Sequence, residues 1–269
     1  MQRSTAGTPV KALVVITYVA MIATNALANA LPINGRTTGA VSDAYRNLFA
    51  PAGLTFAIWG VIYLLLGAHV LYQVGLFHDR GTEAGSAARR SLLERVGVLF
   101  SLSSVANAAW ILSWHYDLIG LSTLLLATML VLLVLITRAI LGAELSTRDR
   151  LLVRLPFSVY FGWLTVATIA NITLFLVSIG WDRFGIAESV WAVAIIAVGA
   201  AIGTTVILRD RDVAYGLVLV WAYLGIWIKH TSAAGFAGAY PAVSVTALLG
   251  IVAFVAAGTL VVLRRRAPR

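Results

Sequence analysis

The chain has no cysteine, which excludes disulfides, a thiol nucleophile and a thiolate metal site. Histidine is scarce too: there are four, His69, His78, His115 and His230, and none is spaced like a metal-binding pair. Charged residues make up only 12% of the chain, and none sits at the centre of an apolar run. Ion-coupled pumps and voltage sensors rely on buried charge, so proton or sodium coupling is disfavoured. Acidic residues are the rarer sign, 11 against 20 basic ones, for a net charge of +9. The basic residues lie between apolar segments rather than along one face, which argues against nucleic acid as a partner.

What is abundant is apolar. Hydrophobic residues account for 60% of 269, and the mean hydropathy is +0.91. A soluble domain of this length cannot hide so much apolar surface, which leaves the bilayer as solvent and lipid as a partner. Crossing ~30 Å of hydrocarbon takes about 17–20 apolar residues. Eight segments meet or approach this, at about 12–31, 54–76, 93–114, 118–141, 151–179, 187–208, 213–228 and 243–263. The first has about 20 residues and no short cleavage region, so it reads as a retained span. The expected fold class is all-α, a polytopic membrane bundle of about eight transmembrane helices. The short link "HYD" makes the third and fourth spans antiparallel neighbours, whereas "PINGRTTGAVSDAYRNLFAPAG" is too long for a tight turn. No internal repeat is evident, which weakens an inverted-repeat transporter.

Basic residues orient the bundle. With eight spans, Arg36, Arg46, Arg183 and Lys229 fall on one side and the other 16 of the 20, from Arg3 and Arg80 to Arg269, on the opposite one. By the positive-inside rule both termini face the cytoplasm.

Several spans carry polar and aromatic stripes. At 100° per residue, Pro156, Tyr160, Trp163, Ala167 and Asn171 share a face of the fifth span. Phe100, Ser103, Asn107, Trp110 and Trp114 do so in the third, and Tyr18, Met21, Asn25 and Asn29 in the first. Pro51, Thr55, Trp59, Tyr63 and Gly67 follow a four-residue row in the second. For Trp59, Trp110 and Trp163 two readings stand, a cavity lining or inert packing. Asparagines in spans often only bond a neighbouring helix, for ~1 kcal/mol. Trp181, Trp191 and Trp227, near span ends, read as interface anchors. His69 lies to one side of the Trp59 row and reads as a packing residue or a helix–helix hydrogen bond. "GAAIG" at 199–203 suits close helix contacts within a subunit or in a homodimer.

Three fragments also resemble the TspO/MBR family, the tryptophan-rich sensory or translocator proteins. "APAGLTFAIWGVIYLLLG" (50–67) is similar to its second-helix signature, with Pro51, Trp59, Tyr63 and Gly67 matching. "NAAWILSW" (107–114) resembles the third-helix asparagine–tryptophan motif at Asn107 and Trp110, with Trp114 where the family has an aromatic. "WLTVATIAN" (163–171) resembles the helix-five motif at Trp163, Ala167 and Asn171. The sequence departs from the pattern in two places: a paired proline is reduced to Pro51, and Pro156 lies seven residues before Trp163 rather than four.

The resemblance implies a five-helix membrane core over residues 1–180, and the last three spans become an extension over 181–269. It further implies an integral protein of a bacterial cytoplasmic membrane that binds, transports or senses a tetrapyrrole such as protoporphyrin or haem. The expected ligand-binding residues are Pro51, Trp59, Tyr63, Asn107, Trp110, Trp114, Trp163, Ala167 and Asn171. Indole and phenol rings stack on a flat apolar macrocycle, and Arg36 or Arg46 would meet its propionates unless they are simply solvated. No cofactor is required, and no catalytic or metal residue is expected. Light-dependent porphyrin breakdown is the one enzymatic activity that the resemblance raises. The competing class is a secondary transporter or permease for an unrelated small solute.

Overall fold

The computed structural model of the chain describes residues 6–31, 33–77 and 83–266. Arg3, Arg80 and Arg269, counted above on the cytoplasmic side, and His78 lie outside the described residues. The elements in order are α1 (Thr8–Ala30), α2 (Thr38–Ala44), α3 (Ile58–Val74), α4 (Glu83–His115), α5 (Ile119–Leu141), the single turn α6 (Thr147–Asp149), α7 (Leu155–Ser178), α8 (Glu188–Asp210), α9 (Val213–Thr231) and α10 (Pro241–Arg266). Among the described residues there is no strand. Eight helices among the described residues are long and apolar enough to cross a membrane, and they fall on the eight apolar segments of the sequence. The protein is an all-α membrane bundle.

Helix ends follow local chemistry. Pro9 and Pro241 sit at the starts of α1 and α10, where a missing N–H leaves no bond unmade. Ser146 and Asp149 form a reciprocal capping box at α6, and the Asp212 carboxylate accepts from Tyr215 N at 3.1 Å to open α9. As the "HYD" link requires, Asp117 turns in the left-handed region (φ 56°) between α4 and α5.

The chain divides into two compact units. The first holds the described residues of Met1–Thr38 together with Trp59–Tyr160, in which α4 packs between α1 and α5. Val14, Thr17, Met21, Asn25 and Ala28 form the buried stripe of α1. At one end of α4, Trp114 Nε1 donates to Thr38 O (3.1 Å) and His115 Nδ1 to Ile33 O (3.1 Å), and Asn34 Nδ2 donates to His115 O (3.0 Å). Arg36 pairs with Asp117, so it is engaged within the loop. At the other end, Asp149 accepts from Arg89 Nε (3.0 Å), Arg89 Nη2 (2.9 Å) and Tyr72 Oη (2.7 Å).

A π turn at Arg150–Arg154 leads into α7. Pro156 has no N–H to give Leu152 O, four residues back. His69 Nδ1 lies 2.8 Å from that oxygen, and since a carbonyl only accepts, the ring donates there. Edge contacts to Phe157 (4.8 Å) and Phe100 (5.8 Å) hold the imidazole in place. Of the sequence readings of His69, the structure thus gives the helix–helix hydrogen bond.

The second unit holds Gly39–Ile58 with Phe161–Arg269; in it α10 packs on both α8 and α9. The segment before α3 is fastened here: Ala52 N donates to Gly225 O (3.0 Å), Trp221 Nε1 to Thr55 O (2.9 Å) and His230 Nε2 to Leu48 O (2.9 Å). Lys229 Nζ pairs with Asp43 at 2.7 Å. In the "GAAIG" stretch, a Cβ on Gly199 would collide with the Tyr223 hydroxyl and one on Gly203 with Leu219. Those glycines therefore serve close packing of α8 on α9 inside the chain.

Candidate ligand site

Five of the nine candidate residues lie in the first unit; four of them are rings in contact, and the fifth, Asn107, reaches them through Tyr160. The Trp59 ring, at the start of α3, stacks on Tyr63 one turn later, centroids 5.4 Å apart and planes 25° apart. It also meets Trp110 of α4 at 5.6 Å and Tyr160 of α7 at 6.0 Å. Trp110 continues to Trp114 at 5.9 Å. The four-residue spacing on α3 and α4 is what brings these rings into one column. Trp59 and Tyr63 are its half-exposed members, whereas Trp110 and Trp114 are buried.

Behind the rings lies an amide relay. Asn25 Nδ2 donates to Asn107 Oδ1 (2.8 Å) and Asn107 Nδ2 to the Tyr160 hydroxyl (3.2 Å). Both amides are buried, and in hydrocarbon each must be satisfied within the protein. The Trp110 indole N–H is also buried but has no hydrogen-bond partner. Leaving such a donor unmet costs about 1–3 kcal/mol.

The other four candidates lie in the second unit. Trp163 is buried, edge-on to Phe56 at 6.0 Å; Asn171 and Pro51 are buried and Ala167 is half-buried. The expected stripe of α7 does not mark a distinct face, because every residue from 156 to 166 is buried.

The second unit also contains a cleft of about 310 Å³ lined by none of these four. Its lining includes Leu176, Val177 and Ile195 together with Arg46, Arg183 and Trp191. Trp181 packs on Trp191 at 5.1 Å and on Phe184 at 5.5 Å. Arg183, Phe184 and Gly185 take φ values of 62°, 55° and 72° in succession. For the first two residues this left-handed backbone costs of order 1–3 kcal/mol each. The turn is held by Asp182 Oδ1, which accepts from Phe184 N (2.9 Å), and by Trp191 Nε1, which donates to Arg183 O (2.9 Å).

A family model described as TSPO-like protein matches residues 11–260. The chain belongs to the TSPO-like family. The match runs through α8, α9 and α10 as well as through the helices that carry the three motifs. No curated protein and no solved structure matches the chain.

For this TSPO-like protein, the motif residues Trp59, Tyr63, Trp110 and Trp114 form a ring column in the first unit, with Asn107 linked to it through Tyr160, whereas Pro51, Trp163, Ala167 and Asn171 lie in the second unit. The cleft residues Trp181 and Trp191 were read from sequence as interface anchors, and Arg46 as a partner for ligand propionates or a solvated loop residue. The signal that would have joined them is weak, because they come from two loops far apart in the chain.

Proposed function

We propose that this TSPO-like membrane protein binds a flat, mostly apolar ligand of the tetrapyrrole class against the Trp59–Trp110–Trp114 column. The observation that carries the reading is the buried, unpartnered indole N–H of Trp110 within a continuous ring column. A ligand acceptor would satisfy that donor, and a macrocycle face would extend the column from Trp59, one of its half-exposed rings. Stacking is worth about 0.5–1.5 kcal/mol per ring pair beyond the area buried. Tyr63 stacks on Trp59 and Asn107 holds the hydroxyl of Tyr160 beside it, and Pro51, Trp163, Ala167 and Asn171 remain candidates on the family resemblance alone. We further propose that both termini face the cytoplasm, on the asymmetry of the basic residues between the two sides of the spans.

The test is a titration of the purified protein in detergent with protoporphyrin, following the porphyrin absorption band and tryptophan emission together. Saturable quenching with a parallel shift of the porphyrin band is the expected outcome. Quenching that rises linearly, as for partition into micelles, would overturn the reading.

A further inference from the structure

We propose that the cleft of the second unit holds the headgroup of an amine-bearing zwitterionic phospholipid. The groups around it carry both signs of charge and leave both unused. Arg183 Nε is buried with no hydrogen-bond partner. The Arg46 guanidinium sits over the Phe236 ring, 5.2 Å from its centroid, rather than against a carboxylate. Glu188 lines the same cleft, and among the described residues neither it nor the two arginines has an ion-pair partner. Asp182 spends one carboxylate oxygen on Phe184 N. A ligand with only negative charge would meet Glu188 and Asp182, and one with only positive charge would meet the arginines. A phosphate joined to an ammonium answers both.

The remaining features suit a lipid. Guanidinium groups bind phosphate oxygens through paired N–H donors, and the indole faces of Trp181 and Trp191 attract an ammonium. Leu176, Val177 and Ile195 supply an apolar wall for the first methylenes of the acyl chains. Lying where α7 gives way to α8, the cleft occupies the end of two spans, the level at which lipid headgroups meet water. Its volume, about 310 Å³, is at the lower end for small-ligand sites, enough for a headgroup but not a whole lipid. The left-handed turn at Arg183 and Phe184, tethered by Trp191, is the kind of strain that gathers at ligand clamps. None of these residues belongs to the tryptophan column, so this inference stands or falls separately from the tetrapyrrole reading.

Native mass spectrometry of the full chain, titrated with phosphatidylethanolamine or phosphatidylglycerol, tests it. The two lipids share the phosphate and differ in the ammonium. The wild type should retain the ethanolamine lipid about tenfold more tightly, as expected for one charged hydrogen bond. Glu188→Gln should abolish that preference, and Arg183→Gln should weaken both lipids about tenfold. Arg46→Gln gives the second reading of the phosphate contact if Arg183→Gln fails to fold. Equal affinity of the wild type for the two lipids, or a preference that survives Glu188→Gln, overturns the proposal. So does soluble glycerophosphoethanolamine competing as well as the lipid itself, which would make the occupant a soluble zwitterion.

Discussion

His69 gives the sharpest handle on how α7 is held. Its ring takes the place of the amide that Pro156 lacks, donating to Leu152 O at 2.8 Å with no exposure to solvent. In His69→Leu, a side chain of similar volume keeps the packing but leaves that carbonyl unmet in an apolar surround. The cost is that of an orphaned buried acceptor, about 1–3 kcal/mol. Ala at 156 would restore an N–H in reach of the same oxygen, so His69→Leu in a Pro156→Ala background should cost about 1 kcal/mol less, within the usual range for coupled neighbours. Both variants, the double variant and the wild type should be compared by reversible unfolding in mixed detergent. If His69→Leu costs the same in both backgrounds, the ring does not stand in for the proline's missing donor.

Other outcomes follow from the same structure. Asp149→Ala removes the acceptor of two Arg89 hydrogen bonds and of the buried Tyr72 hydroxyl and should cost about 2–3 kcal/mol, whereas Ala at the exposed Glu144 should change stability by no more than about 0.5 kcal/mol; the same unfolding assay compares them. Single cysteines in this cysteine-free chain at Tyr116 and Glu144, which flank α5 and are both exposed, should label from opposite faces of sealed vesicles, Glu144→Cys only from the cytoplasmic one. Truncation after Ile179 removes Gly225, Trp221 and His230, which bond the 48–55 segment. That segment should then be cut readily by protease while the intact chain resists, and equal resistance would show that the segment does not depend on these partners.

The eight spans were legible in the sequence because length and hydropathy alone decide what can cross a bilayer. The α4–α5 link was legible because three residues permit only an antiparallel reversal. The tryptophan column followed from four-residue spacing within α3 and within α4, though which ring of one helix meets which ring of the other did not. Pro156 was read only as part of a stripe, and nothing in the sequence named His69 as the donor to Leu152 O in the turn before α7. The cleft was hidden for two reasons. Trp181 and Trp191 look like any belt tryptophans, and the left-handed turn falls on Arg183 and Phe184, residue types that rarely adopt it. The α7 stripe pointed to one face, yet the helix is buried all round over 156–166, so periodicity there carried no direction.

The central claim, that a tetrapyrrole-like ligand sits against the Trp59–Trp110–Trp114 column, is met most directly by comparing Trp110→Phe and Trp191→Phe in the protoporphyrin titration. Phenylalanine at 110 removes the unpartnered indole N–H and part of the stacking face. Affinity should fall about tenfold, the equivalent of one lost hydrogen bond with reduced stacking. Trp191→Phe, in the cleft of the second unit, should leave porphyrin affinity unchanged. Equal affinities for Trp110→Phe and wild type, or a loss confined to Trp191→Phe, would contradict the account.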